Sequence, residues 1–366
     1  MNILILNWRD PKNPRSGGAE IVTMEHAKAW LKAGHKVTWF TSEFPNSKQQ
    51  EVMDGVDIVR RGMYLSVFFY AFVFYIFSKK KFDLVVDEIH GIPFFTPLYV
   101  RKPKIAFIHE VADKIWDHMF PFPINVFGKK LEKLLYFPYR TIKFMTVSES
   151  TKADLIKLGI KEKNILVIIS GINIKPLKLL PKKENEPTFI FVSRVVKMKG
   201  IEEVTKAFFY ILREVKNARF WIVGDGEKTY VEELKETMRS YSISPKVKFW
   251  GRVSDVKKLE LMRRAHILLH ASVKEGWGLV IIEAASQATP AVVYNVAGLR
   301  DSVKNGKTGI VLSENSAKNM AREAIDLLND KKRYETFQKN CLAWAKSLTW
   351  EKATQQSLKL ISTYEK

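Results

Sequence analysis

The sequence predicts an α/β protein of two domains, each a doubly wound parallel sheet covered by helices. The chain has 366 residues, enough for about two domains of ordinary size. Short apolar runs without alternation recur between stretches of helical periodicity, which is typical of strands buried on both faces of a parallel sheet. Hydrophobic residues make up 46% and charged residues 27% of the chain, which excludes a disordered protein.

The elements of the first half follow from these runs in order. The run at 3–6 predicts a strand, and the periodicity over 19–33 predicts a helix that ends at Gly34. Further strands are predicted at 37–41, 84–87, 104–108 and 144–147. Prolines among Lys and Glu residues predict a linker over 173–187, so the first domain is expected to span 1–172.

The alternation is clearer in the second half, which predicts a second domain over 188–349. The predicted strands lie at 188–192, 219–223, 247–250, 266–270 and 291–294, and the predicted helices at 200–216, 228–241, 255–264, 279–288 and 316–329. A last helix over 350–366 is expected to pack back on the first domain. Ligands bind at the carboxyl ends of strands where the strand order reverses, so two such domains predict a cleft between facing strand ends.

The charge and the single cysteine bound the partners and the compartment. The net charge is +21, spread over both halves as +10 in 1–180 and +11 in 181–366. This spread argues against a nucleic-acid-binding arm and favours anionic small ligands or an anionic membrane surface. Cys341 alone cannot form a disulfide framework, and no secretory signal is visible at the start, so a cytoplasmic location is expected.

The longest apolar run, 65–77, is too short to span a bilayer, which needs about 20 residues. It ends in three lysines, Lys79 to Lys81, and Lys129 and Lys130 form a second basic pair. The run fits two alternatives equally: a core helix packed on a sheet, or an interfacial helix in peripheral contact with anionic lipid at the cytoplasmic face of the membrane.

Two segments at predicted strand ends carry groups suited to a phosphorylated ligand. Gly17 and Gly18 precede the first helix, where backbone N–H groups favour an anion, although a plain strand–helix turn has the same pattern. Arg194 and Lys199 follow the strand at 188–192, where two cations would neutralise a diphosphate unless the loop is merely solvated. The first segment lacks the GxGxxG and Walker A patterns, which weakens nicotinamide and P-loop interpretations.

An acidic pair and a histidine complete the candidate residues. Glu275 lies on a glycine-rich loop, and Glu283 follows in the first turns of a predicted helix. A carboxylate beside glycines can hydrogen-bond sugar hydroxyls, whereas Glu283 can equally complement the helix dipole. His109 ends the strand at 104–108, a place for a general base or a polar contact, although a lone histidine is more often structural.

In order and spacing, these residues resemble the family 4 glycosyltransferases, which have the GT-B fold of two Rossmann-like domains facing across a cleft. Each motif is common singly, and the set is specific and covers nearly the whole chain. The motifs are SGGAE at 16–20, VSESTKADL at 147–155, SGIN at 170–173, FVSR at 191–194 with Lys199, VGDGE at 223–227, FWGRV at 249–253 and EGWGLVIIE at 275–283.

The resemblance implies retaining transfer of a sugar from a nucleotide-diphosphate sugar, without a metal or a cofactor. It implies that Arg194 and Lys199 bind the diphosphate, that Glu275 contacts the donor sugar and Glu283 the ribose, and that His109 lies at the reaction centre. The remaining implied donor-binding positions are Gly17 and Gly18 over the diphosphate, Gly224, Arg252 and Val253 near the base, and Gly276, Trp277, Gly278 and Leu279 at the helix start.

The residue chemistry agrees, because fixed cations can stabilise the leaving diphosphate in place of a metal. Asp87 and Glu88, the nearest acidic pair after an early strand, do not form a DxD motif. Retention leaves two routes open, a double displacement with Glu275 as nucleophile or a front-face attack. A GDP-sugar (as in a mannosyltransferase) or a UDP-sugar donor and a glycan, lipid or lipid-linked acceptor are equally open. The alternatives are an epimerase of the same fold, against which the spaced acidic pair argues, and a non-catalytic nucleotide-sugar-binding protein.

Overall fold

The chain folds into two separate α/β units. The computed structural model describes residues 1–113, 115–119 and 121–365, with only the backbone at 118 and 119. The first unit comprises Met1–Gly171 with Thr349–Lys366, and the second comprises Ile172–Leu348. The predicted linker at 173–187 is grouped with the second unit, because the N–H groups of Leu177 and Glu184 donate to carbonyls of that unit.

The first unit is built on an eight-stranded sheet in the order β3-β4-β2-β1-β5-β6-β7-β8. Its strands are β1 (Asn2–Leu6), β2 (Lys36–Thr41), β3 (Gln50–Met53), β4 (Val56–Arg60), β5 (Leu84–Ile89), β6 (Lys104–Ile108), β7 (Lys143–Thr146) and β8 (Ile165–Val167). Among the strand pairs of the described residues in this unit, only β3–β4 is antiparallel. The helices are α1 (Gly18–Lys32), α2 (Val67–Phe77), α3 (Thr96–Tyr99), α4 (Ile115–Met119), α5 (Ile124–Leu135) and α6 (Glu149–Lys157).

The second unit has a six-stranded, all-parallel sheet in the order β11-β10-β9-β12-β13-β14. Its strands are β9 (Thr188–Val192), β10 (Arg219–Val223), β11 (Val247–Gly251), β12 (Ile267–His270), β13 (Ala291–Val293) and β14 (Gly309–Val311). Its helices are α7 (Ile201–Glu214), α8 (Lys228–Ser240), α9 (Asp255–Arg264), α10 (Leu279–Ser286), α11 (Leu299–Ser302), α12 (Ala317–Asn329) and α13 (Lys331–Ser347). The strand order reverses between β9 and β12, which places a switch point at their carboxyl ends.

The last helix, α14 (Trp350–Ser362), belongs to the first unit and packs on α1. The Ser357 hydroxyl lies 2.9 Å from Nδ1 of His26 and accepts the indole N–H of Trp30 at 3.1 Å, all within the core. Gly171 lets the chain pass, since a Cβ there would lie 2.2 Å from the backbone nitrogen of Trp350. Because the His26 ring lies in this core, burial lowers its pKa to about 3 and keeps the ring neutral.

The apolar run at 65–77 forms α2, which packs on the sheet by one side only. Val67 and Ala71 are its buried residues, whereas Phe69 and Phe77 are 64% and 76% exposed. The run is therefore a helix packed on the sheet, as the first alternative predicts, although Phe69 and Phe77 stay exposed, and the interfacial contact with lipid stays a prediction. Among the described residues, no helix is both long enough and apolar enough to cross a bilayer.

Candidate active site

The loops that follow β9 and β12 meet at the switch point of the second unit. The hydroxyl of Ser272 and the N–H of Val273 both donate to the carbonyl of Met198 at 3.0 Å, which ties the two loops together. Gly200 allows this approach, because it has a φ of 69° and a Cβ there would lie 2.0 Å from the carbonyl oxygen of Ala271. The loop that carries Lys199 is thus fixed against the loop that leads to Glu275.

Two of the predicted site residues form an ion pair at this point. Nζ of Lys199 donates to Oε1 of Glu275 at 2.6 Å, and the two side chains are only 20% and 15% exposed. Burial opposes ionisation of Glu275, but the attraction of the Lys199 ammonium outweighs it and holds the pKa of Glu275 below its usual range. The site therefore keeps a charged carboxylate beside a charged amine.

Arg194 provides a second cation at the end of β9. Its side chain is exposed, and among the described residues its guanidinium has no ion-pair partner. A planar guanidinium that is not engaged by the protein is suited to paired hydrogen bonds with phosphate oxygens. Arg194 and Lys199 thus differ: the first is open to an anion, and the second is already held by a carboxylate.

The start of α10 follows the Glu275 loop. Gly278 is the N-cap residue at a φ of 80°, and the free N–H groups of the first turn begin at Leu279. Gly276 is half-buried, and Trp277 is buried with an indole N–H that finds no partner among the described residues. The helix start is therefore an anion-accepting group on the loop that carries Glu275.

Glu283 lies on α10 and is held by a lysine that the sequence motifs did not identify. Nζ of Lys258, on α9, donates to Oε1 of Glu283 at 3.0 Å and also contacts Asp255 at 3.0 Å. Burial raises the pKa of Glu283, and the attraction of Lys258 offsets this only in part, whereas the same pair raises the pKa of Lys258. The charged form of Glu283 is thus disfavoured within the pair, whereas the charged form of Lys258 is favoured.

The remaining donor-binding positions predicted in this unit lie at strand ends as well. Gly224 follows β10 with a φ of 132°, and a Cβ there would lie 1.9 Å from the carbonyl oxygen of Ser193. Arg252 follows β11 and is exposed, while Val253 is half-buried against the core between the sheet and α9. The structure therefore places Gly224 beside Ser193, the residue that precedes Arg194.

In the first unit, Gly17 and Gly18 are exposed at the start of α1. The N–H of Gly17 donates to Oε2 of Glu20 at 2.6 Å, and Oε1 of Glu20 pairs with Nε of Arg9 at 2.8 Å. Burial raises the pKa of Glu20, although Arg9 and the Gly17 amide oppose it. One amide of the glycine pair is thus already satisfied by a buried carboxylate, a partner that the glycine pattern does not reveal.

His109 follows β6 and is paired with a carboxylate from the neighbouring strand. Its Nε2 lies 3.2 Å from Oε1 of Glu88, which is fully buried and whose Oε2 has no partner among the described residues. The hydrogen-bonded carboxylate orients the ring and places the proton on Nε2, so Nδ1 remains an acceptor. Glu88 is inside β5 and not after it, contrary to the prediction of a strand that ends at 87.

Glu88, His90 and His109 form the one group among the described residues whose liganding atoms lie close enough to hold a metal ion, within 4.8 Å of one another. Nδ1 of His90 lies 3.3 Å from the amide oxygen of Asn7, and burial holds the pKa of His90 well below its usual range. A neutral imidazole with an oriented second nitrogen is a common metal ligand. The same geometry equally serves a carboxylate-oriented histidine.

Comparisons with known proteins identify the family. The family model described as "Glycosyltransferase Family 4" matches residues 16–175, and the model described as "Glycosyl transferases group 1" matches residues 177–344. The chain is 25% identical to N-acetyl-alpha-D-glucosaminyl L-malate synthase of Bacillus anthracis, over 96% of this chain and 93% of that protein. Both halves of the chain are thus matched, in the order that the sequence motifs predicted.

Solved structures confirm the fold. The sucrose-phosphate synthase of Thermosynechococcus elongatus has a TM-score of 0.80 at 19% identity and covers 99% of this chain and 98% of its own. The Anabaena protein HepE, solved in complex with UDP-glucose, has a TM-score of 0.76 at 19% identity and covers 99% of this chain and 100% of its own. The chain therefore has the GT-B fold, and the two family models, which together match most of it, show that it belongs to the family 4-type glycosyltransferases.

Proposed function

We propose that the chain is a retaining hexosyltransferase that moves a sugar from a UDP- or GDP-sugar to a glycan, lipid or lipid-linked acceptor. The observation that carries the proposal is the ion pair at the switch point of the second unit, where Lys199, on the loop that begins at Arg194, holds Glu275, on the loop that leads into α10. A nucleoside diphosphate with an attached sugar matches this combination of cations, amides and a carboxylate. The UDP-glucose complex of HepE supports a nucleotide sugar as donor.

The cations would act on the leaving group. Negative charge grows on the diphosphate oxygens as the sugar departs, and fixed positive groups stabilise that charge without reorganising. Arg194 would supply paired hydrogen bonds, and Lys199 a point charge that also reaches Glu275. This arrangement supports a reaction that needs no bound metal, and activity that survives extensive dialysis against a chelator is the expected result.

The carboxylates and His109 would hold the sugar and the ribose. Glu275, kept ionised by Lys199, is suited to accept hydrogen bonds from sugar hydroxyls, and Glu283 is suited to accept those of the ribose. His109, oriented by Glu88, offers Nδ1 as an acceptor for a donor-sugar hydroxyl.

A donor screen with matched variants tests this proposal. Release of UDP or GDP is followed for the common nucleotide sugars, with and without candidate acceptors. We expect Arg194→Ala to lose about 100-fold in turnover, since a charged hydrogen bond at the leaving group is removed. Arg322→Ala is the control, because Arg322 is an exposed arginine of the same unit on α12, far along the chain from these loops. Equal activity of both variants would contradict the assignment.

The stereochemical outcome is tested on the product. NMR of the new glycosidic bond is expected to show the anomeric configuration of the donor, and an inverted product would refute retention. Incubation with a slow fluorinated donor, followed by mass spectrometry, separates the two retaining routes. A sugar adduct on Glu275 would indicate double displacement, and its absence during turnover would favour the front-face route.

A second proposal concerns the first unit: we infer that it contacts the anionic, cytoplasmic face of a membrane. Helix α5 turns Glu132 inward, because this residue is 3% exposed and its carboxylate accepts the N–H groups of Ala112 and Asp113 at 2.8 and 2.9 Å. Its apolar stripe therefore faces outward. Phe127, Leu131 and Leu134 are 74%, 44% and 66% exposed.

Basic side chains surround these apolar residues. Lys130 and Lys133 are exposed on α5 itself. Lys79 and Lys81 are exposed just after α2, whose own outer face carries Phe69 and Phe77. Outward aromatic residues beside lysines are typical of helices that lie in the interface of anionic lipid, where each basic residue contributes about 1 kcal/mol. A lipid or lipid-linked acceptor would be reached from such a surface.

Vesicle sedimentation tests this contact. Binding is expected to phosphatidylcholine vesicles that contain phosphatidylglycerol, to weaken with salt, and to be largely lost in Phe127→Ser/Leu131→Ser. Val52→Ser is the control, since Val52 is 67% exposed on β3 and its neighbours in the chain, Glu51, Met53 and Asp54, include no basic residue. Binding that ignores both anionic lipid and the double variant would overturn the proposal.

A further inference from the structure

The inference concerns His270, a histidine at the switch point that no motif singles out. It is the last residue of β12 and is 1% exposed, with its ring centroid 5.6 Å from that of Phe191. The backbone N–H of Ser272 donates to its Nδ1 at 3.3 Å. Because Nδ1 accepts, the proton of the neutral ring lies on Nε2. Burial lowers the pKa of His270 to about 4, so the neutral form prevails at neutral pH.

The Nε2–H group is buried and lacks a hydrogen-bond partner among the described residues. Oε1 of Glu275 lies 3.9 Å from Nε2, which is beyond hydrogen-bond distance. That oxygen is already engaged, since Nζ of Lys199 lies 2.6 Å from it. A buried donor left unpaired is unfavourable, and its presence beside a functional carboxylate calls for an explanation.

Lys199 has two partners to satisfy once a donor is bound. In the structure its ammonium is committed to Glu275, whereas the proposed function requires it to neutralise a diphosphate. Movement of the ammonium toward phosphate oxygens weakens its hold on Oε1 of Glu275. The unpaired donor that remains beside this carboxylate is the Nε2–H of His270, since the Ser272 hydroxyl donates to the carbonyl of Met198. A shift of about 1 Å would bring Nε2 into hydrogen-bond range.

We propose that His270 is a positioning residue: its Nε2–H donates a hydrogen bond to Glu275 when the Lys199 ammonium moves to the diphosphate of the donor. This inference rests on the proposed function and deepens it. In the ligand-free protein, Lys199 is paired with the Glu275 carboxylate, and the Nε2–H of His270 has no partner among the described residues. In the donor complex, the histidine keeps the carboxylate ionised and aimed at the sugar, while the lysine serves the leaving group. The consequence is that His270 affects recognition of the sugar but not of the diphosphate.

The first test compares binding of a nucleoside diphosphate with binding of the nucleotide sugar. His270→Phe keeps a ring of similar shape against Phe191 and removes the donor. We expect its affinity for the nucleoside diphosphate to stay within about 2-fold of wild type, and turnover to fall about 10- to 100-fold, the loss of a hydrogen bond to a charged group. His270→Gln, which retains an N–H donor, is expected to recover part of the loss.

A double-mutant cycle and a control variant separate positioning from a structural role. If His270 acts through Glu275, then His270→Phe adds no further loss of sugar-dependent affinity in the Glu275→Gln background. His266→Gln is the control: His266 precedes the same strand and its Nδ1 accepts the N–H of Thr188 at 3.0 Å, away from the carboxyl end. The control is expected to retain the turnover of wild type. An equal loss in both backgrounds would overturn the proposal.

A measurement on the unmodified chain needs no variant to fold. With side-chain-labelled histidine, the Nε2–H proton of His270 is expected to move downfield when the nucleotide sugar is added, because a hydrogen bond to a carboxylate forms. An unchanged resonance in the donor complex would refute the proposed hydrogen bond from His270 to Glu275. If wild type binds no nucleotide sugar and no nucleoside diphosphate, the proposed function itself fails, a result distinct from donor binding that leaves His270 unaffected.

Discussion

The close approach at Gly200 yields a quantitative prediction. Gly200 and Gly306 have nearly the same left-handed backbone, with φ of 69° and 71°, and both lie in the second unit. They differ in their surroundings. A Cβ at Gly200 would lie 2.0 Å from the carbonyl oxygen of Ala271, whereas one at Gly306 would meet nothing within 4 Å. The two Gly→Ala variants therefore share the cost of the backbone and differ in crowding.

The magnitudes follow from these two terms. A left-handed conformation costs a residue with a Cβ about 1–2 kcal/mol, which is the loss expected for Gly306→Ala. Gly200→Ala must in addition push the Lys199 loop away from β12, and overpacking of this kind costs about 1–3 kcal/mol. At about 3 °C per kcal/mol for a unit of this size, Gly306→Ala is expected to lose about 3–6 °C and Gly200→Ala about 6–15 °C.

The assay is thermal unfolding followed by circular dichroism, together with calorimetric titration of a nucleoside diphosphate. The two units can unfold separately, so the relevant transition is the one that the nucleotide raises. Gly200→Ala is also expected to bind the nucleotide more weakly, because the loop that carries Lys199 is displaced, whereas Gly306→Ala is expected to bind it as wild type does. Equal losses of stability and unchanged binding in both variants would refute the reasoning.

Three further predictions concern the charged pairs. Glu88→Gln keeps the size of the side chain but removes the charge at His109, so kcat is expected to fall at least about 10-fold while the melting temperature holds; an unchanged kcat would show that Glu88 is only structural. Lys258→Met removes the cation that opposes the raised pKa of Glu283, so this pKa should rise further. Calorimetry is expected to show weaker nucleotide binding at neutral pH, with recovery as the pH rises. A loss of affinity that does not depend on pH would contradict a role of the Glu283 charge. Glu275 has a lowered pKa, so its charge contributes stability above its ordinary value of 4.5; the destabilisation of Glu275→Gln in urea titrations should shrink as the pH falls below that value, and a constant difference would contradict this sign.

Local patterns in the sequence predicted the regular elements well. The bounds predicted for the strands at 104–108, 188–192 and 219–223 and for the helix at 255–264 are those of the structure. These elements are apolar or amphipathic with clear turn signals, so short-range periodicity is sufficient. The strands β3, β4, β8 and β14 were not predicted. They lie at or beside the edges of their sheets, and β3, β8 and β14 are only three or four residues long and partly exposed.

The periodicity of apolar residues does not predict which face of α5 is buried. An amphipathic helix is expected to turn its apolar stripe inward, yet α5 turns Gly128 and Glu132 inward. The reason lies in tertiary contacts. A Cβ at Gly128 would collide with Trp116, so only a glycine fits there, and the Glu132 carboxylate accepts the N–H groups of Ala112 and Asp113. Such donors cannot be located from the helix sequence.

Asp87 and Glu88 show how a strand separates neighbours. The sequence presents them as an acidic pair, but successive residues of β5 face opposite sides of the sheet. Asp87 accepts hydrogen bonds from Tyr139 and from Thr96, whereas Glu88 faces His109. One carboxylate is thus structural and the other lies beside a candidate catalytic residue.

By itself, the sequence determined the family, the order of most strands and the candidate residues that follow them, because these depend on local pattern and on motif spacing. Only the tertiary structure decided which of those residues are partners. Lys199 and Glu275 are 76 residues apart, Lys258 and Glu283 are 25 apart, and Glu88 and His109 are 21 apart. Each pair comes from separate elements that the sheets bring side by side, and no local period encodes that proximity or the unpaired N–H group that it leaves on His270.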